Sequence, residues 1–201
     1  MKKILGSTIA ISSLIAASAW AGPTAQLGGG STTVVLDGGF VNALVANNIA
    51  PSNIKPGKLD LKKGSIKYNI PIGAIDLDSL AGDIFHTGGL ALSNADTDVT
   101  LQNFIIDTTN GVLTGIVTLN GDVVDRIPLF DLDLGEADIQ TSPSGRLRIT
   151  NVGLDLTSDA ASTLNAVFDL GVTGDTDVGV AAVSTRITRT SDETDDGDEE
   201  D

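Results

Sequence analysis

The sequence predicts an all-β fold: an antiparallel β-sandwich or partly closed barrel with two short helices. Three observations support this prediction: several segments alternate apolar and polar residues, Asn-Gly pairs separate some of them, and the acidic residues are mostly Asp rather than Glu. Alternation with a period of two is typical of half-buried strands, and Asn-Gly supplies the positive φ angles of tight hairpin turns. Asp favours turns and strand ends, whereas Glu favours helix interiors.

The N-terminus has the layout of a cleavable export signal. Two lysines precede an apolar stretch, and the small residues Ala19 and Ala21 flank Trp20. We therefore expect a signal peptide at residues 1–21, cleaved near Ala21, and a secreted, periplasmic or cell-surface location. The apolar stretch is shorter than the roughly 20 residues that cross a bilayer, so we expect no membrane span.

The segments that flank the predicted domain lack apolar residues at helix or strand spacing. Residues 22–31 (GPTAQLGGGS) predict a flexible leader that remains after cleavage. Residues 32–190 are then expected to form one β domain, and residues 191–201 (SDETDDGDEED) a disordered acidic tail that cannot bury enough apolar surface to fold.

The first elements of the domain are a strand, a helix and a longer strand. After the strand TTVVL, residues 39–48 (GFVNALVANN) carry apolar side chains at helical spacing, with Asp37 as the predicted N-cap. The segment SIKYNIPI then alternates and predicts a half-buried strand whose inner face carries Tyr68 between isoleucines, with Ile72 on the same face. Pro71 predicts that this strand ends at a sheet edge or lies along one.

The middle and end of the domain are predicted to form hairpins followed by a second helix. Asn110-Gly111 and Asn120-Gly121 are each flanked by apolar or β-branched residues and predict two successive type I′ hairpins. The segment SPSG, which ends at Gly145, predicts a third reversal. Residues 158–169 (SDAASTLNAVFD) then predict a short helix, capped by Thr157 or by Ser158.

Charge and composition exclude several classes of function. The net charge is −15 at pH 7, so binding to nucleic acid or to an anionic membrane surface would act against long-range repulsion. The chain has no cysteine, which excludes thiol catalysis, cysteine metal sites and disulfide stabilisation. The sequence contains neither a nucleophile elbow nor a phosphate-binding glycine loop, so we expect a non-catalytic protein.

His86 is the only histidine, in the segment DIFHTGGLAL. Its alternation puts Ile84 and His86 on one face of a strand and Phe85 on the other. A neutral imidazole can bind a metal or a cofactor, so His86 is the candidate cofactor-binding residue. The alternative is a structural histidine that hydrogen bonds to a neighbouring carbonyl or Asp.

The chain also contains Asp pairs at strand ends and turns, which suit Ca²⁺ because that ion prefers oxygen ligands. The pair Asp96 and Asp98 in SNADTDVT is the candidate metal site, because Ser93 and Asn94 add two further oxygen atoms nearby. The alternative for every pair is a group of solvated turn carboxylates.

Four segments together resemble a known family. They are TTVVLDGGFVNAL, SIKYNIPIGAIDLDSLAGDIFHTGGLAL, VTLQNFIIDTTNGVLTGIV and GLDLTSDAASTLNAVFDL, between Thr32 and Val183. In order and spacing they are similar to the secreted haem-transport domains of actinobacterial cell-surface haem-uptake proteins. The resemblance implies a haem pocket in which a tyrosine on the first helical segment is the axial ligand and a strand histidine supports it. His86 matches that histidine, but the segment GFVNALVANN has no tyrosine and offers Phe40 or Leu44 near that place.

The sequence alone leaves three classes of function open. The first is a non-catalytic structural or surface component of the cell envelope, which self-associates or binds an envelope partner. The alternative is a ligand-binding module for haem or Ca²⁺, related to the haem-transport domains. A hydrolase is the third.

Overall fold

The structure is a computed structural model that describes residues 24–190. The expected signal peptide at residues 1–21 and the expected acidic tail at residues 191–201 lie outside the described residues. Within the described part the chain forms twelve strands and two helices. In chain order they are β1 (Thr24–Leu36), α1 (Gly38–Ala46), β2 (Ala50–Ile54), β3 (Lys58–Asp60), β4 (Ser65–Asp76), β5 (Gly82–Thr87), β6 (Gly89–Ser93), β7 (Asp98–Asp107), β8 (Val112–Leu119), β9 (Asp122–Asp133), β10 (Asp138–Thr141), β11 (Arg146–Leu156), α2 (Ser158–Phe168) and β12 (Asp177–Thr190).

Eight of the described strands close into an antiparallel barrel. The order around it is β7-β5-β4-β1-β12-β11-β9-β8, and pairing of β8 with β7 completes the ring. The strands β2 and β6 extend the sheet beside β7, whereas β3 and β10 pair with β4 and β11. The predicted all-β antiparallel fold with two short helices is therefore confirmed, and the barrel is fully closed. Closure removes the exposed edges that an open sheet would present.

The expected flexible leader is wrong for residues 24–31, because they form the first part of β1. Within this part Ala25 and Leu27 are fully buried, and they pair with β12 on one side and β4 on the other. The glycines that suggested flexibility lie at a β-bulge between Gly28 and Ser31. A Cβ atom on Gly30 would lie 2.6 Å from the Cα of Thr185, so glycine allows the two backbones to approach.

Strand β4 changes its inward face at Pro71. Ile66 and Tyr68 point into the barrel as predicted, but Ile72 is 56% exposed, so its predicted inner placement is wrong. The cause is an irregularity in the pairing with β5 between Asn69 and Ile72, which shifts the alternation by one residue. Pro71 therefore lies at a bulge of an interior strand, where it needs no ladder hydrogen bond, and not at a sheet edge.

The two Asn-Gly pairs form different turns. Asn120 and Gly121 both have positive φ, at 51° and 94°, and they join Leu119 to its partner Asp122 in a two-residue hairpin as predicted. The first hairpin instead has a four-residue loop, since Asp107 pairs with Val112. Gly111 alone of its pair has a positive φ, so the predicted type I′ turn is wrong there.

Both helices begin at the predicted caps. The Asp37 side chain accepts hydrogen bonds from the backbone N–H groups of Gly39 and Phe40, and the Thr157 hydroxyl accepts one from Ala160. The helix α1 follows the end of β1, and α2 follows the end of β11. Because β12 starts between these two strand ends, both helices lie at the same end of the barrel. None of the helices within residues 24–190 is long and apolar enough to cross a membrane.

Candidate functional site

The interior of the barrel contains a cavity of about 100 Å³. Its wall comes from the barrel strands, from Phe40 and Leu44 of α1, and from Ala160 and Leu164 of α2. Almost all of the wall is hydrocarbon, and no Asp, Glu, Lys or Arg side chain is part of it. Protein interiors rarely contain voids much larger than a water molecule, so a continuous apolar cavity of this size is the main candidate for a functional site.

Five side chains in the wall carry polar atoms: Thr32, Tyr68, His86, Thr108 and Thr163. The first three lie on β1, β4 and β5, which are neighbours in the barrel, and they form one polar group on the inner surface. Thr32 and Tyr68 are directly opposite each other in the pairing of β1 with β4. Side chains at such positions point to the same face of the sheet, which is here the inner face.

His86 is tied to the barrel wall and not to a carboxylate. Its Nε2 atom lies 2.6 Å from the hydroxyl oxygen of Thr32, and both side chains are buried. The Nδ1 atom is fully buried and makes no hydrogen bond of normal geometry. Burial lowers the pKa of His86 from 6.5 to about 4, although backbone groups of Phe104 and Ile84 oppose the shift. The imidazole is therefore neutral at pH 7.

The ring of Tyr68 is packed, whereas its hydroxyl has no hydrogen-bond partner among the described residues. The ring meets that of Phe104 edge to face, with centroids 4.9 Å apart. Gly115 leaves room for this contact, since a Cβ atom there would lie 2.9 Å from a ring carbon of Phe104. Burial raises the pKa of the Tyr68 phenol well above its ordinary value, so the hydroxyl stays protonated.

The two remaining polar groups of the wall are satisfied by the backbone. The Thr108 hydroxyl donates to the carbonyl of Leu80 at 2.5 Å, with that of Gly82 at 3.0 Å, and the Thr163 hydroxyl donates to the carbonyl of Asp159 at 2.8 Å. A hydroxyl that already donates to a carbonyl has less to offer a ligand. Tyr68 is therefore the side chain of the wall whose hydroxyl is free to bind one.

Of the three polar residues on the inner surface, the sequence indicated only His86 as a site residue and gave no such indication for Thr32 or Tyr68. The alternation predicted that Tyr68 lies on an inner face and that His86 shares a face with Ile84, and the structure puts both Tyr68 and His86 in the cavity wall. No signal in the sequence paired His86 with Thr32, because the strand order decides which inner residues meet. The role of His86 in binding a cofactor stays a prediction.

Asp96 and Asp98 lie on the surface, at the turn before β7 and at its first residue. The nearby Asn94 oxygen accepts hydrogen bonds from the backbone N–H groups of Asp96 and Thr97, at 3.0 and 2.9 Å. Within residues 24–190, no group of three or more His, Asp or Glu side chains is arranged to hold a metal ion. A calcium site at Asp96 and Asp98 therefore stays a prediction from sequence.

The fold has known counterparts, although no protein-family model and no curated protein matches the chain. The structure is similar to the C-terminal domain of HtaA from Corynebacterium glutamicum, with a TM-score of 0.63 and 14% identity over 81% of this chain and 98% of that one. It is also similar to the heme binding protein HtaB from the same organism, with a TM-score of 0.51 and 12% identity over 81% of this chain and 95% of that one. A domain-swapped dimer variant of the HtaA C-terminal domain has a TM-score of 0.52 and 15% identity, over 74% of this chain and 88% of that one. The resemblance suggested by the four sequence segments is confirmed at the level of the fold.

Proposed function

We propose that the chain is an exported, non-catalytic module that binds a small apolar molecule inside its barrel. The observation that carries this proposal is the apolar cavity of about 100 Å³. A structural envelope component needs only a packed core, whereas a cavity with a hydrocarbon wall lowers stability unless something uses it. The cavity therefore favours the ligand-binding alternative over the structural role. The signal-like residues 1–21 support export.

Haem is the first ligand to compare with this cavity, because HtaB, which shares the fold, is a heme binding protein. The wall side chains of the kinds that bind haem iron are Tyr68 and His86. The Nε2 atom of His86 is engaged by Thr32, and Nδ1 is enclosed by the protein. Tyr68 lies on β4, and burial favours its protonated form over the phenolate that iron requires.

Two further features argue against haem as the ligand. No Lys or Arg lines the cavity to neutralise the two propionates of a haem or to stabilise a phenolate ligand. The helix α1, where the haem-transport resemblance requires a tyrosine, reads GGFVNALVA. The residues of this cavity therefore do not fit haem, and the proposal involves no iron chemistry.

A titration with naphthalene, followed by its fluorescence, tests the proposed function. Ala181 lines the cavity and is 2% exposed, so Ala181→Leu fills part of the space. We expect the wild-type protein to bind naphthalene and Ala181→Leu to bind it at least tenfold more weakly. The control is Ala182→Leu, on the opposite face of the same strand, which should bind like wild type.

Two results would contradict the proposal. One is the absence of naphthalene binding to a folded wild-type protein. The other is equal binding by both leucine variants, with far-ultraviolet spectra that show both to be folded. A haem titration at the Soret band is expected to show no specific shift. A shift that disappears in His86→Ala would instead establish haem as the ligand.

A further inference from the structure

Provided that the proposed function holds, the side chains that line the cavity also define the charge, the size and the hydrogen bonding of the ligand. A charged group brought into the cavity would lose its hydration without gaining a partner, because no charged side chain is part of the wall. An anion would also meet a protein whose net charge is −15. The ligand that fits is therefore uncharged.

The size of the cavity limits the size of the ligand. An engineered apolar cavity of about 150 Å³, lined by leucine, isoleucine and phenylalanine side chains, binds benzene. The cavity of about 100 Å³ is of the same order, so it takes a small ligand. A haem has several times as many non-hydrogen atoms as benzene and is too large for this cavity.

The hydrogen-bonding groups of the wall define one polar contact. Thr32 is hydrogen bonded to His86, and Thr108 and Thr163 donate to backbone carbonyls. The Tyr68 hydroxyl has no partner among the described residues, although the side chain is only 8% exposed. The hydroxyl oxygen is not one of the fully enclosed atoms without a partner, so it is open to contact, and an acceptor on a ligand would give it a hydrogen bond.

We propose that the cavity binds a small uncharged molecule whose single oxygen atom accepts a hydrogen bond from the Tyr68 hydroxyl. A fatty alcohol, aldehyde or ketone has this chemistry. The hydrocarbon chain packs against the apolar wall, and the one hydrogen bond fixes which end of the ligand lies beside β4. The pair Thr32 and His86 then acts as a support for this part of the wall and makes no contact with the ligand's oxygen.

Three ligands of equal chain length separate the parts of this proposal: octanol, octanoate and octane. Calorimetric titrations at pH 7 are expected to show that octanol binds most tightly. Octanoate should bind at least tenfold more weakly, because its charge finds no partner. Octane should bind more weakly than octanol by about fivefold, the effect of one hydrogen bond.

Tyr68→Phe tests the assigned donor without changing the shape of the wall. We expect this variant to bind octanol about fivefold more weakly and octane as wild type does. The control is Thr185→Val, which removes a buried hydroxyl that has no hydrogen-bond partner and is not part of the cavity wall. It should leave the affinities for all three ligands unchanged.

The outcomes distinguish this inference from the proposed function. If octanoate binds as tightly as octanol, or if Tyr68→Phe weakens octane and octanol equally, the inference fails while the binding function stands. If none of the three ligands and no naphthalene binds, the proposed function itself fails. The melting temperature of each variant, measured without ligand, shows that a lost affinity does not come from unfolding.

Discussion

The hydroxyl of Thr32 and the Nε2 atom of His86 lie 2.6 Å apart inside the barrel, although 54 positions separate them in sequence. The strand β4 runs between their two strands, so the contact spans the inner surface across a whole strand. It fixes the one imidazole of the chain in a neutral, enclosed state beside the cavity. We expect the stability of the fold and its response to pH to depend on this contact.

The buried histidine predicts a loss of stability in mild acid. The folded-state pKa of His86 is about 4, below the ordinary 6.5, so the unfolded chain takes up its proton first as the pH falls. The contribution of His86 is thus fully present above about pH 6.5 and is lost as the pH falls towards 4. Between pH 7 and pH 5 we expect the free energy of unfolding to decrease by about 2 kcal/mol.

Urea unfolding at pH 7 and pH 5 measures this change. The comparison is His86→Gln, which keeps a polar side chain next to Thr32 but does not titrate. Its stability should change much less over the same range, since the chain has no other histidine. An imidazole that titrates near pH 6.5 in the folded protein, followed by nuclear magnetic resonance, would contradict this prediction.

Removing the partner of His86 should destabilise the fold. Thr32→Val keeps the shape of the side chain but leaves Nε2 of His86 without a hydrogen bond in a buried place. We expect a loss of about 1–3 kcal/mol in the free energy of unfolding at pH 7. In Thr185→Val the hydroxyl lost is one that has no partner, so this control should be neutral or more stable. Equal losses in both variants would show that the Thr32–His86 contact contributes nothing specific.

We predict that the packing of Phe104 and Leu129 requires glycine at position 115. A Cβ atom on Gly115 would lie 2.6 Å from a methyl carbon of Leu129 and 2.9 Å from the ring of Phe104. Gly115→Ala should therefore cost about 1–3 kcal/mol through overpacking, and it should also displace the ring that Tyr68 packs against. Gly38→Ala is the control, because a Cβ there meets no atom within 4 Å and the helix gains a better former. A Gly115→Ala protein as stable as Gly38→Ala would contradict the packing seen here.

Calcium is expected to have little effect on the folded protein. No third His, Asp or Glu side chain joins Asp96 and Asp98 in a metal-binding group within residues 24–190, and the Asn94 oxygen accepts hydrogen bonds within the turn. We expect the melting temperature to be the same in millimolar Ca²⁺ and in chelator. A rise of several degrees in Ca²⁺ that Asp98→Asn removes would establish the metal site that the sequence suggested.

The sequence predicted those parts of the fold that local chemistry decides. Asp37 is a cap because its side chain reaches two free N–H groups, and Asn120-Gly121 turns tightly because both residues accept a positive φ. The inner placement of Tyr68, and the face that His86 shares with Ile84, followed from alternation. These signals need only a few neighbouring residues, so they can be recognised without knowledge of the strand order.

What the sequence could not predict depends on contacts between distant strands. The glycine-rich part of β1 resembles a linker, and only its two neighbours, β4 and β12, make it a strand. The bulge at Pro71 shifts Ile72 outwards, which a regular alternation cannot foresee. The cavity and the Thr32–His86 pair exist because eight strands close in one order, and alternation determines faces but not that order.

The binding of a neutral ligand inside the barrel is the central claim, and intermolecular nuclear Overhauser effects between octanol and methyl-labelled protein test it most directly. We expect contacts to the methyl groups of Val99, Leu101 and Val117, which line the cavity, and none to Val123 and Val124, which are exposed on β9. Contacts to the two exposed valines alone, or no contacts at all with octanol in excess, would contradict it.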